Sequence, residues 1–124
     1  MLDRGMFHIE TDKARNLVTI AYSGKVDAEE TRRALEVLRG AAADIKAGFV
    51  LLADLTDLES MDRACARYVQ QAMDLAAKKG VGKVLRVIPD PSKDIGLAIL
   101  SIFHYPRDLP IITVEKLSDA LKLV

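Results

Sequence analysis

The sequence predicts an α/β domain. It is a single mixed β-sheet of about five strands, in the order β-β-α-β-α-β-α-β-α, packed against helices. Three observations carry this. Two β-rich segments near the start flank a short polar turn. Later apolar runs alternate with segments whose apolar residues recur every three or four positions. And "FVLLADL" at 49–55 is apolar without alternation, which fits a central strand covered on both faces. Strands joined by helical crossovers pair in parallel, so the last three strands are expected to run parallel.

The elements follow in order. Residues 5–10 and 16–23 ("NLVTIAYS") flank "TDKAR" and read as a hairpin, with Gly24 ending the second strand. Asp27 opens a helix, and Glu30 stands three residues on, in the spacing of a capping box. Ala28, Thr31, Leu35, Leu38, Ala42 and Ile45 line its inner face; Glu29, Arg32, Arg33, Glu36 and Arg39 form a solvated one, and Gly48 follows as a stop. After the central strand comes an acidic turn at 56–62. A second helix runs from about Asp62 to Lys79, with Cys65, Val69, Ala72 and Ala76 inward and Tyr68 and Met73 beside them. Lys78 and Lys79 complement the helix dipole, and Gly80 terminates it. "KVLRVIP" is the next strand. "DPSKDIGLAILSIFHY" reads as a helix capped by Asp90 with Pro91 in its first turn. Pro106 and Pro110 break the chain before a short strand, "IITV". A closing helix, "EKLSDALKLV", places Leu117, Ala120, Leu121 and Val124 on one face.

Composition narrows the function. The 124 residues make one domain's worth of chain, and no repeat, low-complexity tract or linker marks a boundary, so 1–124 is read as one domain. Half the residues are hydrophobic and 5% aromatic, which makes the core aliphatic. Lys plus Arg equals Asp plus Glu, at 18 each. A balanced charge lacks the basic footprint of a nucleic-acid binder or of a polybasic membrane-surface protein. The single cysteine, Cys65, fits a reducing compartment. The start "MLDRGMFHIE" has no signal-peptide pattern, and "IGLAILSIF" is too short to insert across a bilayer. A soluble cytoplasmic protein is expected.

No constellation of catalytic residues stands out, and no cofactor or metal is implied. Gly80-Val81-Gly82 lacks a third glycine and precedes a strand, so it is a helix stop and not a phosphate loop. His8 and His104 have no ligand partners at zinc-site spacing. His8 falls in an edge strand, pointing outward; His104 ends an apolar helix. Cys65 lies on the inner stripe of its helix, where a cysteine is ordinarily buried and inert. Asp54, Asp57, Glu59 and Asp62 cluster at the C-terminal end of the central strand, where open α/β sheets place ligands. Magnesium is one reading of them. The better one makes Asp57 the turn former and Asp62 a helix cap.

The order of elements, with "YSGKVDAEETRRALEVL", "FVLLADLTDLESMD" and "PIITVEKLSDALKLV", resembles the STAS domain, named for sulfate transporters and anti-sigma factor antagonists. The resemblance covers nearly the whole chain. Family members of the bacterial antagonist type carry Asp-Ser-Ser-Gly at the start of the second helix, and a partner kinase phosphorylates a serine there. The matching run here is Asp62-Arg63-Ala64-Cys65, which keeps the Asp and loses both hydroxyls. Ser60 lies upstream of the matching position. Arg63 puts a fixed positive charge where a phosphoserine would be negative, at the positive end of a helix dipole. That fits either an acidic partner or pairing with Glu59 or Asp62.

The resemblance implies a non-enzymatic protein-interaction module in signalling. Its expected docking residues are Asp57, Glu59, Ser60, Asp62, Arg63, Arg67 and Gln70, in the turn 56–62 and on the exposed face of the second helix. The implied partner is a protein such as an anti-sigma-type kinase or a sensor subunit, with a homodimer as a further expectation. The alternative is a small-ligand or lipid carrier of the same fold, resting on the apolar helix that contains Ile99 and Ile102.

Overall fold

The computed structural model describes residues 5–89 and 108–124. The expected helix at 90–105, with Asp90, Ile99, Ile102 and His104, lies outside the described residues.

Strands β1 (Met6–Asp12) and β2 (Leu17–Val26) form the expected antiparallel hairpin, from Met6 opposite Ser23 to Asp12 opposite Leu17. The turn is held by Asp12 Oδ1, which accepts from the Arg15 amide at 3.1 Å, and by Asn16 in the left-handed region at φ 52°. Asn16 also bonds Lys46 in both directions at 3.1 Å, tying the turn to the loop before β3. Helix α1 (Ala28–Ala42) is capped as read: Asp27 Oδ1 accepts from the Glu30 amide at 3.0 Å. The reciprocal half of the capping box is not made, because the Glu30 carboxylate takes the Arg33 guanidinium at 3.0 Å instead. Thr31, Ala34, Leu35, Leu38 and Ala42 are buried. The helix ends at Ala42, three residues before Ile45, and Gly48 at φ +88° stands in the loop beyond it.

Strand β3 (Val50–Asp54) lies parallel to β2, β5 (Lys83–Val87) parallel to β3, and β6 (Ile111–Val114) parallel to β5. The order across the sheet is β1-β2-β3-β5-β6. A sixth strand, β4 (Leu58–Met61), pairs parallel with the far end of β2. It falls inside the segment read as a turn at 56–62. Gly24 does not end β2. At φ +69° it sits where the β2–β4 register shifts, and β2 continues through Lys25 and Val26.

Helix α2 (Ala66–Lys78) starts four residues later than expected, after a 3-10 turn at Arg63–Cys65. Val69, Met73 and Ala76 are buried, and Gly80 closes the helix at φ +88°. Helices α1 and α2 cover one sheet face, built on Val18, Ile20, Tyr22, Leu51, Ala53 and Val84. The opposite face buries Leu17, Leu52, Leu85 and Val87 with Ala120 of α3 (Leu117–Leu121). Strands β3 and β5 therefore bury side chains on both faces, which is why their sequences show no alternation. The closing helix is shorter than expected. Ala120 is fully buried, but Leu121 and Val124 are 45% and 37% exposed, so they share no inner face with it.

Candidate docking surface

The site begins where β3 ends. The turn after Asp54 is set by that residue and not by Asp57: its Oδ1 accepts from the Thr56 amide at 3.0 Å and from the Thr56 hydroxyl at 2.5 Å. The chain then rejoins β2 a second time. The Gly24 amide donates to the Asp57 carbonyl and the Asp62 amide to the Val26 carbonyl, each at 3.0 Å. Between these bonds Leu58 points into the core, Glu59 is exposed, and Ser60, half-buried, lies opposite Lys25 in the ladder. Met61 packs against the core cluster.

Asp62 caps the 3-10 turn that precedes α2, and not α2 itself, whose N-cap position is Cys65. The Asp62 side chain accepts from the Ala64 amide at 3.4 Å, and its carbonyl accepts from the Cys65 amide at 2.9 Å. Cys65 is fully buried, with Sγ 3.6 Å from the Val26 carbonyl. Burial pushes its thiol upward, a hydrogen bond with Thr31 opposes this, and the Asp62 and Asp27 carboxylates add to the rise. A neutral, enclosed thiol is a poor nucleophile, so Cys65 is a core residue. Burial also raises the hydroxyl of neighbouring Tyr22, with Cys65 adding to the effect.

From this joint the polar side chains run outward. Asp57, Glu59, Asp62, Arg63, Arg67 and Gln70 are all exposed, and Arg63, Arg67, Gln70 and Asp74 follow helical spacing away from the buried Val69 and Met73. The Arg67 guanidinium lies 5.0 Å from the centre of the Tyr68 ring. Arg63 pairs with neither Glu59 nor Asp62, and its guanidinium makes no ion pair or hydrogen bond among the described residues. Lys25 and Tyr68 border the candidate residues without having been expected to. The alternation in "LESM" was the available signal for β4, and so for Lys25 opposite Ser60.

Other places in the fold offer less chemistry. His8 is exposed on β1 and bonds Glu10 at 2.8 Å. A cleft of about 270 Å³ lies beside Met6, His8, Ser23, Asp54 and Asp57, but no group of three His, Cys, Asp or Glu that could hold a metal occurs among the described residues. An apolar slot of about 30 Å³, lined by Ile20, Tyr22, Leu51, Val69 and Met73, separates α2 from the sheet. Among the described residues no helix is long and apolar enough to cross a membrane.

No protein-family model and no curated protein sequence matches the chain. Solved structures do. An uncharacterized protein of the DUF3478 family with a SpoIIAA-like fold, from Shewanella loihica, superposes with a TM-score of 0.67 at 19% identity, covering 96% of this chain and 94% of that one. The anti-sigma factor antagonist SpoIIAA in its unphosphorylated form gives 0.65 at 18% identity, over 94% and 96% of the two chains. An anti-sigma factor antagonist from Mycobacterium paratuberculosis gives 0.62 at 16%, over 98% and 95%. The mixed sheet and its flanking helices share the SpoIIAA-like fold of these structures.

Proposed function

We propose that the protein is a non-enzymatic interaction module that docks a regulatory protein through the ridge 57–63 and the exposed start of α2. The observation that carries this reading is the ridge itself: a run of exposed polar side chains on backbone bonded at both ends to β2. The fold it shares with anti-sigma factor antagonists supports the same reading. Binding proceeds without phosphorylation at the matching position, because Arg63 and Ala64 carry no hydroxyl. The partner is a kinase-type or sensor-type regulatory protein. The carrier reading gains nothing from the slot beneath α2, since about 30 Å³ holds one water and not a lipid tail.

The test is a pull-down with the wild-type protein and with Arg63→Glu/Arg67→Glu. Both side chains are exposed, so the variant is expected to keep its melting temperature. A specific protein retained by the wild type and lost by the variant is the expected result. Equal retention by both, or a small molecule co-purifying with both in place of a protein, overturns the proposal.

A further inference from the structure

We infer that the segment docking on α2 is acidic, with two carboxylates about one helical turn apart, held by Arg63 and Arg67. This deepens the docking reading and rests on it.

The inference comes from how the arginines are used. Arg32 meets Glu29 at 2.5 Å, Arg33 meets Glu30 at 3.0 Å and Arg39 meets Glu36 at 2.6 Å, each three residues apart on α1. Arg15 lies 3.9 Å from Asp12, and Arg86 donates to the Thr113 hydroxyl at 3.0 Å. Among the described arginines only Arg63 and Arg67 lack a carboxylate or hydroxyl partner, and the Arg67 guanidinium has only the Tyr68 ring. These two stand four residues apart at the start of α2, where like charges repel and the helix dipole is positive. Two unfavourable electrostatic contributions thus coincide on an exposed surface. A bound anion pair reverses both, and guanidinium forks match carboxylates two-pronged. Tyrosine and arginine together are also the side chains that most often anchor protein interfaces.

The anion belongs to a protein and not to a bilayer. Asp57, Glu59 and Asp62 are exposed immediately before the arginines, and a broad anionic membrane surface would meet all of them at once. A discrete acidic pair avoids them.

A photo-reactive phenylalanine at position 70 (Gln70→p-benzoylphenylalanine) tests this, with cross-linked peptides sequenced by mass spectrometry. The expected cross-link is to a peptide with two Asp or Glu three or four residues apart. Its yield should fall at least about tenfold in Arg63→Gln/Arg67→Gln, and likewise in high salt. A cross-linked peptide without such a pair, or a yield unchanged by the glutamine variant, overturns the acidic partner while leaving docking intact. No cross-link to any protein overturns docking and this inference together. Phosphatidylglycerol vesicles sedimenting the wild type but not the variant, with no protein cross-link, would reassign the arginines to a membrane.

Discussion

Two glycines are expected to respond to the same substitution with opposite signs. Gly82 enters β5 against the loop that leads into β3. Its amide donates to the Phe49 carbonyl at 2.8 Å, and the Gly48 amide donates to the Gly80 carbonyl at 2.7 Å. A Cβ on Gly82 would stand 2.7 Å from the Gly48 carbonyl oxygen and 3.0 Å from its carbon. These are backbone atoms, so no side chain can swing aside, and the two loops must part. Overpacking of this kind costs about 1–3 kcal/mol, offset by roughly 0.4–1 kcal/mol because alanine restricts the unfolded chain. Gly82→Ala should therefore lose about 1–2 kcal/mol, which for a chain of this length is roughly 3–10 °C in melting temperature. Gly40 lies inside α1, where an added Cβ meets nothing within 4 Å. Gly40→Ala should gain up to about 1 kcal/mol from helix propensity. Urea melts of both variants beside the wild type measure this. A Gly82→Ala protein as stable as the wild type would refute the close approach of the two loops.

Two further outcomes follow from burial. Cys65 and Tyr22 both have folded-state pKa values raised above their ordinary ones. The folded state thus holds its protons where the unfolded chain has released them. The contribution of these two groups to stability should be level below about pH 8 and fall as pH rises past the ordinary thiol value, then more steeply past that of tyrosine, by up to about 1.4 kcal/mol per unit for each group. Tyr22→Phe should flatten the upper part of that slope in denaturant melts taken from pH 7 to 11; an unchanged slope would place the titration elsewhere. Leu85→Ala, at a fully buried position, should cost about 2–5 kcal/mol, whereas Leu121→Ala, at a half-exposed one, should stay within about 0.5 kcal/mol. Equal losses in thermal melts would mean that the closing helix buries Leu121 after all.

Much of this architecture is written in local patterns. The apolar block Leu51–Leu52–Ala53 announces a strand covered twice, and Asp27 three residues before Glu30 announces a helix start. Both signals are local, and the structure satisfies them locally. Strand β4 was hidden because four residues carry one alternation, set among acidic side chains that also suit a turn. Its pairing is with β2, more than thirty residues away in sequence, and nothing local specifies that. Gly24 is ambiguous for the same reason: a glycine that ends a strand and one that bulges a strand look alike until the partner strand is known. At the candidate site the identities of Asp57 to Gln70 were legible, but their pairing was not. Arg63 has acidic neighbours one and four positions before it in sequence, yet in the fold its guanidinium meets neither.

Strand β2 has two tenants on the same side. Its first half carries β3, the centre of the core, and its second half carries β4, the base of the ridge. The ridge is therefore indexed to the core through one continuous backbone, and it cannot slide or swing while the core stays still. A molecule that meets this surface meets a shape already fixed, and the ordering cost of association falls mainly on the incoming side. Recognition here would be sharp in geometry and insensitive to loop dynamics, and changing its shape would require disturbing the sheet itself.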